Sequence, residues 1–186
     1  KFDTIYHEHV FYYSLMALIN LFRTAGLEIY DVQMTLMQGE SLMIFISNPG
    51  VFTINENVKN LMTKEIESGF DKLETYQKIS NNILKLKKEL IGILERIKCE
   101  NKKIAAYSAP AKGNILLNYF RINENYLDFI VDKSLAKQGL YTPGTHLLVH
   151  PLEKIDEGNP DYLLVLCWNI IDEVIAMKEL ATFKKK

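Results

Sequence analysis

Only two cysteines, Cys99 and Cys167, occur in 186 residues, and no paired spacing relates them. That scarcity argues against a disulfide framework or a structural zinc cluster, and makes a reducing cytoplasm the default location. Charge of one sign is lacking too: 22 basic and 23 acidic residues leave a formal net charge of -1. A surface that tracks phosphates normally carries a clear basic excess, so nucleic acid is not an expected partner. The closing Lys184, Lys185 and Lys186 read as a solvated end. No apolar run nears the about 18 residues of a membrane span, and the first residues lack the zones of a signal peptide, so no membrane partner is expected. No internal repeat or low-complexity segment is evident. The sequence opens on Lys1-Phe2-Asp3 without a methionine and reads as a piece of a longer polypeptide.

What is present is enough apolar residue, 48% of the chain, to build a packed core. Three zones follow from patterning. In residues 1–48, Leu15, Leu18, Ile19 and Phe22 recur at helical spacing over Phe11 to Ala25, and Gly26 stops the helix. Leu27 to Val32 alternates as a half-buried strand, Gln38-Gly39-Glu40 makes a turn, and Ser41 to Ser47 forms a second strand. In residues 49–101, Asn48-Pro49-Gly50 breaks the pattern. Helix-forming sequence then runs from Ile54 to Lys98, with Gly69 as the break between two helices and an apolar stripe from Leu73 to Ile97. Too few heptads are present for a coiled coil.

Residues 102–186 alternate strands with helices. Strands are expected at Ile104–Tyr107, Leu127–Val131, His146–His150 and Tyr162–Cys167, and helices at Asn114–Phe120 and Ile170–Phe183. Such alternation implies parallel pairing, and the fold class is α/β: a Rossmann-like, mostly parallel three-layer C-terminal domain preceded by long helices and a helix–strand–strand unit.

Three groups of residues could carry chemistry. Tyr6-His7-Glu8-His9 gathers two of the four imidazoles with a carboxylate and a phenol. One reading is acid–base catalysis, since imidazole titrates nearest neutrality and a carboxylate can fix its tautomer. A metal site is disfavoured, because His7 and His9 are two apart and no third ligand cluster is visible. A purely structural reading, with Glu8 favouring a following helix N-terminus, fits the residues equally well. Ser108-Ala109-Pro110-Ala111-Lys112-Gly113-Asn114 lies between a strand and a helix. Small residues, a helix N-terminus and Lys112 suit an anion, although the spacing matches neither the dinucleotide fingerprint nor the P-loop, and a plain tight turn competes. Asp132, Lys137-Gln138-Gly139, Pro143-Gly144-Thr145-His146 and Trp168-Asn169 fall at ends of the third zone's strands. That sheet edge is the usual binding edge, and an acid closing the second strand often meets a ribose hydroxyl.

Taken in order, these residues resemble a known family. Phe2-Asp3-Thr4-Ile5-Tyr6-His7-Glu8-His9, Gly26-Leu27-Glu28 and Gly39-Glu40-Ser41-Leu42 look like the end of the methyl-donor domain of the S-adenosylmethionine-dependent C-methyltransferases that act on nucleotide-linked deoxysugars. Ala106 to Asn114 resembles that family's first C-terminal strand and loop, where glycine often replaces Ser108. Asp132, Lys137-Gln138-Gly139, Pro143-Gly144-Thr145-His146 and Pro160-Asp161-Tyr162 continue the match, which covers nearly the whole chain.

The resemblance implies an enzyme of three parts: a zinc-binding module, a donor domain, and a Rossmann-like domain for a nucleotide-linked keto-sugar. Zinc is expected only in the first, which this sequence lacks, as it lacks the glycine-rich donor motif. Residues 1–48 would be the end of a class I methyltransferase domain, 49–101 a helical connector and 102–186 the sugar-nucleotide domain. The chain's partners would be the keto-sugar nucleotide and the missing N-terminal part of the same polypeptide. His9 would be the general base that enolises the sugar, with Glu8 in support, Tyr6 on the enolate oxygen and His7 a further participant. Lys112, Gly113 and Asn114 would meet the diphosphate, with Asp132, Lys137, Gln138 and Thr145 as neighbours. A non-catalytic nucleotide or nucleotide-sugar binding module is the alternative. A nicotinamide-linked dehydrogenase is disfavoured by the missing fingerprint.

Overall fold

The structure, a computed structural model, describes residues 2–35, 41–177, 180 and 183. Contacts divide the chain into two compact units, Phe11–Asn82 and the combination of Lys1–Val10 with Ile83–Lys186.

The unit Phe11–Asn82 begins with helix α1 (Leu15–Thr24). The helical pattern suggested a start at Phe11, but two acceptors fix it four residues later. The Ser14 hydroxyl receives the Ala17 N–H at 3.1 Å, and the buried Glu65 carboxylate receives the N–H groups of Leu15 (2.7 Å) and Met16 (2.9 Å). These are first-turn donors that no helix satisfies internally. Strands β1 (Glu28–Thr35) and β2 (Ser41–Ser47) pair antiparallel, with a register shift between Ile29 and Asp31. The turn expected at Gln38-Gly39-Glu40, and with it the Gly39-Glu40 half of the family motif, lies outside the described residues, while Ser41 and Leu42 open β2. Helix α2 (Glu56–Glu67) is capped by Asn55, whose side chain accepts from the Asn57 N–H. Leu15, Ile29, Val32 and Val58 form this unit's core. Gly69 ends the helical run with φ +70°, a conformation glycine adopts without a Cβ penalty. Helix α3 (Leu73–Cys99) follows, as the apolar stripe required.

The other unit is a four-stranded parallel sheet. Its strands are β3 (Ile104–Tyr107), β4 (Phe129–Val131), β5 (Val149–His150) and β6 (Tyr162–Val165), in the order β5-β4-β3-β6. The central strands β3 and β4 are buried on both faces because they are apolar at every position, not at alternate ones. Ile104, Ala106, Ile130 and Leu164 face one cluster, with Leu94 and Ile97 of α3 and Leu117 and Phe120 of α4 (Ala111–Phe120). Ala105, Tyr107, Phe129 and Val131 face another, with Ile155 of α5 (Lys154–Gly158) and Val174 of α6 (Ile171–Ala176). This is the three-layer α/β arrangement. Phe120, Leu117, Ile122, Leu127 and Ile130 are essentially sealed from solvent, each contributing about 1.5–3 kcal/mol by burial.

Several boundaries differ from the sequence pattern for local reasons. Helix α4 starts at Ala111, not Asn114, because Pro110 occupies its N-cap and leaves three more residues helical. Strand β5 is two residues long, not five, since His146 has φ +53° and Leu148 is bridged antiparallel to Tyr141. After β6 comes a single 3-10 turn, Trp168–Ile170, before α6, and Met177 is already extended. Most of the expected helix beyond it, and the terminal lysines, lie outside the described residues. Helix α5 had no sequence signal, being only one turn and a half.

Candidate active site

The carboxyl ends of β3, β4 and β6 bring the turn Ser108–Pro110, Asp132 and Trp168 to one edge of the sheet. Helix α4 begins there with Pro110 at its N-cap, which makes no side-chain capping bond. Lys112 lies in that first turn, and its ammonium stands 5.9 Å over the ring centroid of Trp168, a cation–π contact.

Asp132 is the hub of the edge. It is buried and accepts at Oδ2 from the Ala109 N–H (2.7 Å), the Ser108 hydroxyl (3.1 Å) and the Lys137 ammonium (3.1 Å), and at Oδ1 from the Ser134 N–H (2.8 Å). Burial alone would push this carboxyl up; the N–H groups of Ala109 and Ser134 and the Lys137 ammonium outweigh it and hold it below the usual carboxylate range. Gln138 adds a bond from its amide to the Asp132 carbonyl at 3.0 Å. Through these four donors Asp132 ties the β3 and β4 loops together. They also hold Ser108 at φ +70°, which explains why glycine suits that position. The neighbouring Cys167 thiol is pushed up, chiefly by burial.

Gly113 was expected to meet a diphosphate. Its Cα faces β6's end, where a Cβ would lie 2.8 Å from Leu166 Cβ and 3.0 Å from Pro110 Cδ. The glycine thus allows close helix–sheet packing. Asn114 donates from its amide to the Pro110 carbonyl at 3.3 Å, and its Oδ1 is buried with no partner among the described residues.

The Pro143–His146 turn does not join this edge. It precedes β5 and docks on α4 at Asn118, toward that helix's C-terminal end: the Asn118 amide donates to the Pro143 carbonyl at 2.9 Å, and Gly144 abuts the same side chain so closely that no Cβ fits. Thr145 is buried, its hydroxyl 2.7 Å from that of Thr142. It braces a hairpin, closed by the antiparallel bridge between Tyr141 and Leu148. Asn118, which does the docking, had no sequence signal.

The Tyr6–His9 motif belongs to the same unit as the sheet. A 3-10 turn, Phe2–Thr4, precedes it, with the Phe2 ring stacked on Phe120 at 5.2 Å. Asp3 in that turn is buried, and its Oδ2 accepts the Trp168 indole N–H at 2.5 Å. His9 Nδ1 lies 2.9 Å from the Thr4 carbonyl, and the Tyr6 and His9 rings are 4.3 Å apart. Because a carbonyl can only accept, Nδ1 carries the proton and the neutral ring's basic lone pair is on Nε2. His7 and Glu8 are exposed on the turn. Among the described residues no three His, Cys, Asp or Glu side chains assemble as metal ligands, and no helix is long and apolar enough to cross a membrane.

Residues 36–185 match the family model described as the C-methyltransferase C-terminal domain. The chain is also 29% identical over 176 residues to C-methyltransferase NovU of Streptomyces niveus; the alignment covers 94% of this chain and 42% of that protein. The match to the family model takes in most of the chain, including every strand of the parallel sheet and the Lys112 turn, and the chain therefore belongs to the C-methyltransferase C-terminal domain family.

Proposed function

We propose that the chain is the substrate-side part of a longer C-methyltransferase, and that its residues bind a nucleotide-linked keto-sugar and remove the proton next to the ketone. The observation that carries this reading is the His9 tautomer. The Thr4 carbonyl accepts a hydrogen bond from Nδ1–H, which leaves Nε2 as the basic nitrogen, and imidazole is the side chain suited to take a carbon-bound proton near neutrality. Tyr6, whose ring lies against the same imidazole, would donate to the enolate oxygen as charge develops there. Glu8 and His7 share the turn, and Glu8 would support the imidazole.

The anionic end of such a substrate would go to the sheet edge. Lys112 supplies a cation and the first turn of α4 supplies N–H groups that Pro110 leaves uncapped. Lys137 and Gln138 are held at the neighbouring loop by Asp132. The donor is a separate matter. S-adenosylmethionine would supply the electrophilic methyl, but the strands described in Phe11–Asn82 are an antiparallel pair, and the strand-to-helix loop after β2 carries a single glycine, Gly50, in place of a glycine-rich cradle. The residues described here do not fit the donor, and holding it falls to the remaining length of the full protein, in keeping with the 42% of NovU that this chain spans.

The test is solvent exchange. In a polypeptide carrying the complete donor domain, His9→Ala should slow deuterium wash-in next to the ketone, read by NMR without methyl donor, by about 100- to 10,000-fold. Methyl transfer should fall with it, and sugar-nucleotide affinity should hold. Wild-type exchange that His9→Ala leaves untouched removes His9 as the base. Tight binding with no exchange in the wild type would favour a non-catalytic nucleotide-sugar module.

A further inference from the structure

The indole of Trp168 touches both ends of this site. Its N–H edge is bonded to the buried carboxylate of Asp3, 165 residues away in sequence, and its face lies beneath the Lys112 ammonium. Asp3 adjoins Thr4, whose carbonyl fixes the His9 ring. One aromatic side chain therefore links the cation proposed for the substrate's anionic end to the turn that aims the base. The link is directional in a way the other attachment is not. Phe2 already fastens the turn to α4 by stacking on Phe120 and lying 5.8 Å from Tyr119. Aromatic packing of that kind tolerates sliding and rotation. A charge-assisted bond from an indole N–H to a buried carboxylate sets one orientation.

Resting on the proposed function above, we infer that Asp3 and Trp168 are a positioning pair, which holds the His9 turn in register with the Lys112 anion site. The two residues touch no reacting atom. They act through His9 and Lys112. Binding of a nucleoside diphosphate draws the Lys112 ammonium toward phosphate, changes the field on the indole face, and is felt through Asp3 at the His9 ring. A positioning error of about 1 Å at a base is enough to cost roughly 100-fold in rate, so loss of the bond should lower turnover without removing the anion site.

Trp168 is the chain's one tryptophan, so its indole N–H gives a single assignable NMR signal. The experiment has two arms. In the first, uridine diphosphate and thymidine diphosphate are titrated into the wild-type chain and into Asp3→Asn, following the indole signal and the His9 imidazole signal, the latter assigned with His9→Asn. In the wild type both signals should move with one midpoint; in Asp3→Asn the indole should still move, at a midpoint within threefold, while the His9 response collapses. In the second, deuterium exchange into a keto-sugar nucleotide is measured in the longer polypeptide for Asp3→Asn and Trp168→Phe. The saturated exchange rate should fall about 10- to 100-fold in both, with the half-saturating concentration within threefold.

A His9 response that survives Asp3→Asn, or variants that exchange at the wild-type rate, overturns the inference. So does a rise in half-saturating concentration matching that of Lys112→Ala, which would make the pair part of the anion site. If the wild type exchanges nothing, the proposed function fails, and coupled indole and His9 shifts in the first arm then stand or fall separately. If neither diphosphate binds, both fall together.

Discussion

Replacing Asp132 with asparagine keeps the shape of the hub and removes its charge, which makes the size of the effect calculable. One amide oxygen can still serve Ala109, Ser108 and Lys137, but the NH2 group then faces the Ser134 N–H, donor against donor. A buried donor left unsatisfied costs about 1–3 kcal/mol, and the remaining bonds lose charge assistance, which roughly doubles a bond's strength. The total is about 2–4 kcal/mol. For a chain of this size that is a fall of roughly 5–15 °C in Tm. The sign with pH follows from the direction of the shift. The folded carboxyl lies below its unfolded value of about 3.9, so its contribution is complete above that value and is lost as pH falls through the folded one. Wild type and Asp132→Asn should therefore differ by a constant amount above about pH 5 and converge in acid. Urea titration followed by Trp168 fluorescence reports this unit, since the tryptophan sits at the same edge. A difference under 0.5 kcal/mol at pH 7, on the order of a surface substitution, or a gap that acid does not close, refutes the account.

Two further substitutions test the packing. Gly113→Ala places a methyl 2.8 Å from Leu166 Cβ and should cost about 1–3 kcal/mol in the same titration, by overpacking, although alanine is the better helix former. Glu65→Ala orphans the Leu15 and Met16 N–H groups and should cost about 1–3 kcal/mol; amide hydrogen exchange should show α1 losing protection first.

What could be read from sequence, and what could not, divides along physical lines. Strands β3, β4 and β6 announced themselves because a parallel strand covered on both faces needs apolar residues at consecutive positions: Ile104 to Tyr107 are all buried. The break at Gly69 and the long helix after it were equally plain, being set by local conformation and a period of 3.6. Helix starts were misjudged where a distant acceptor decides them, as Glu65 does for α1 from 50 residues away. The loop before β5 was placed at the binding edge of the sheet from its residue types, whereas a bond from Asn118 on α4, 25 residues earlier, docks its Pro143 carbonyl elsewhere.

The candidate site shows the same limit in sharper form. Position at a strand end suggested a ribose contact for Asp132, and the family resemblance a diphosphate contact for Gly113. A carboxylate's use, however, is set by how many donors reach it first, and four do here. A glycine's use is set by what lies across from its missing Cβ, here Leu166. The Tyr6–His9 motif was conspicuous from composition, but nothing in its spacing tied it to residue 168. That tie is a hydrogen bond between side chains at opposite ends of the sequence, which joins the Phe2 stacking on Phe120 in holding residues 2–10 in the same compact unit as the parallel sheet. The acid–base reading of that motif and the anion-binding reading of the Lys112 turn thus meet at one indole, through a contact that no spacing in the sequence announces.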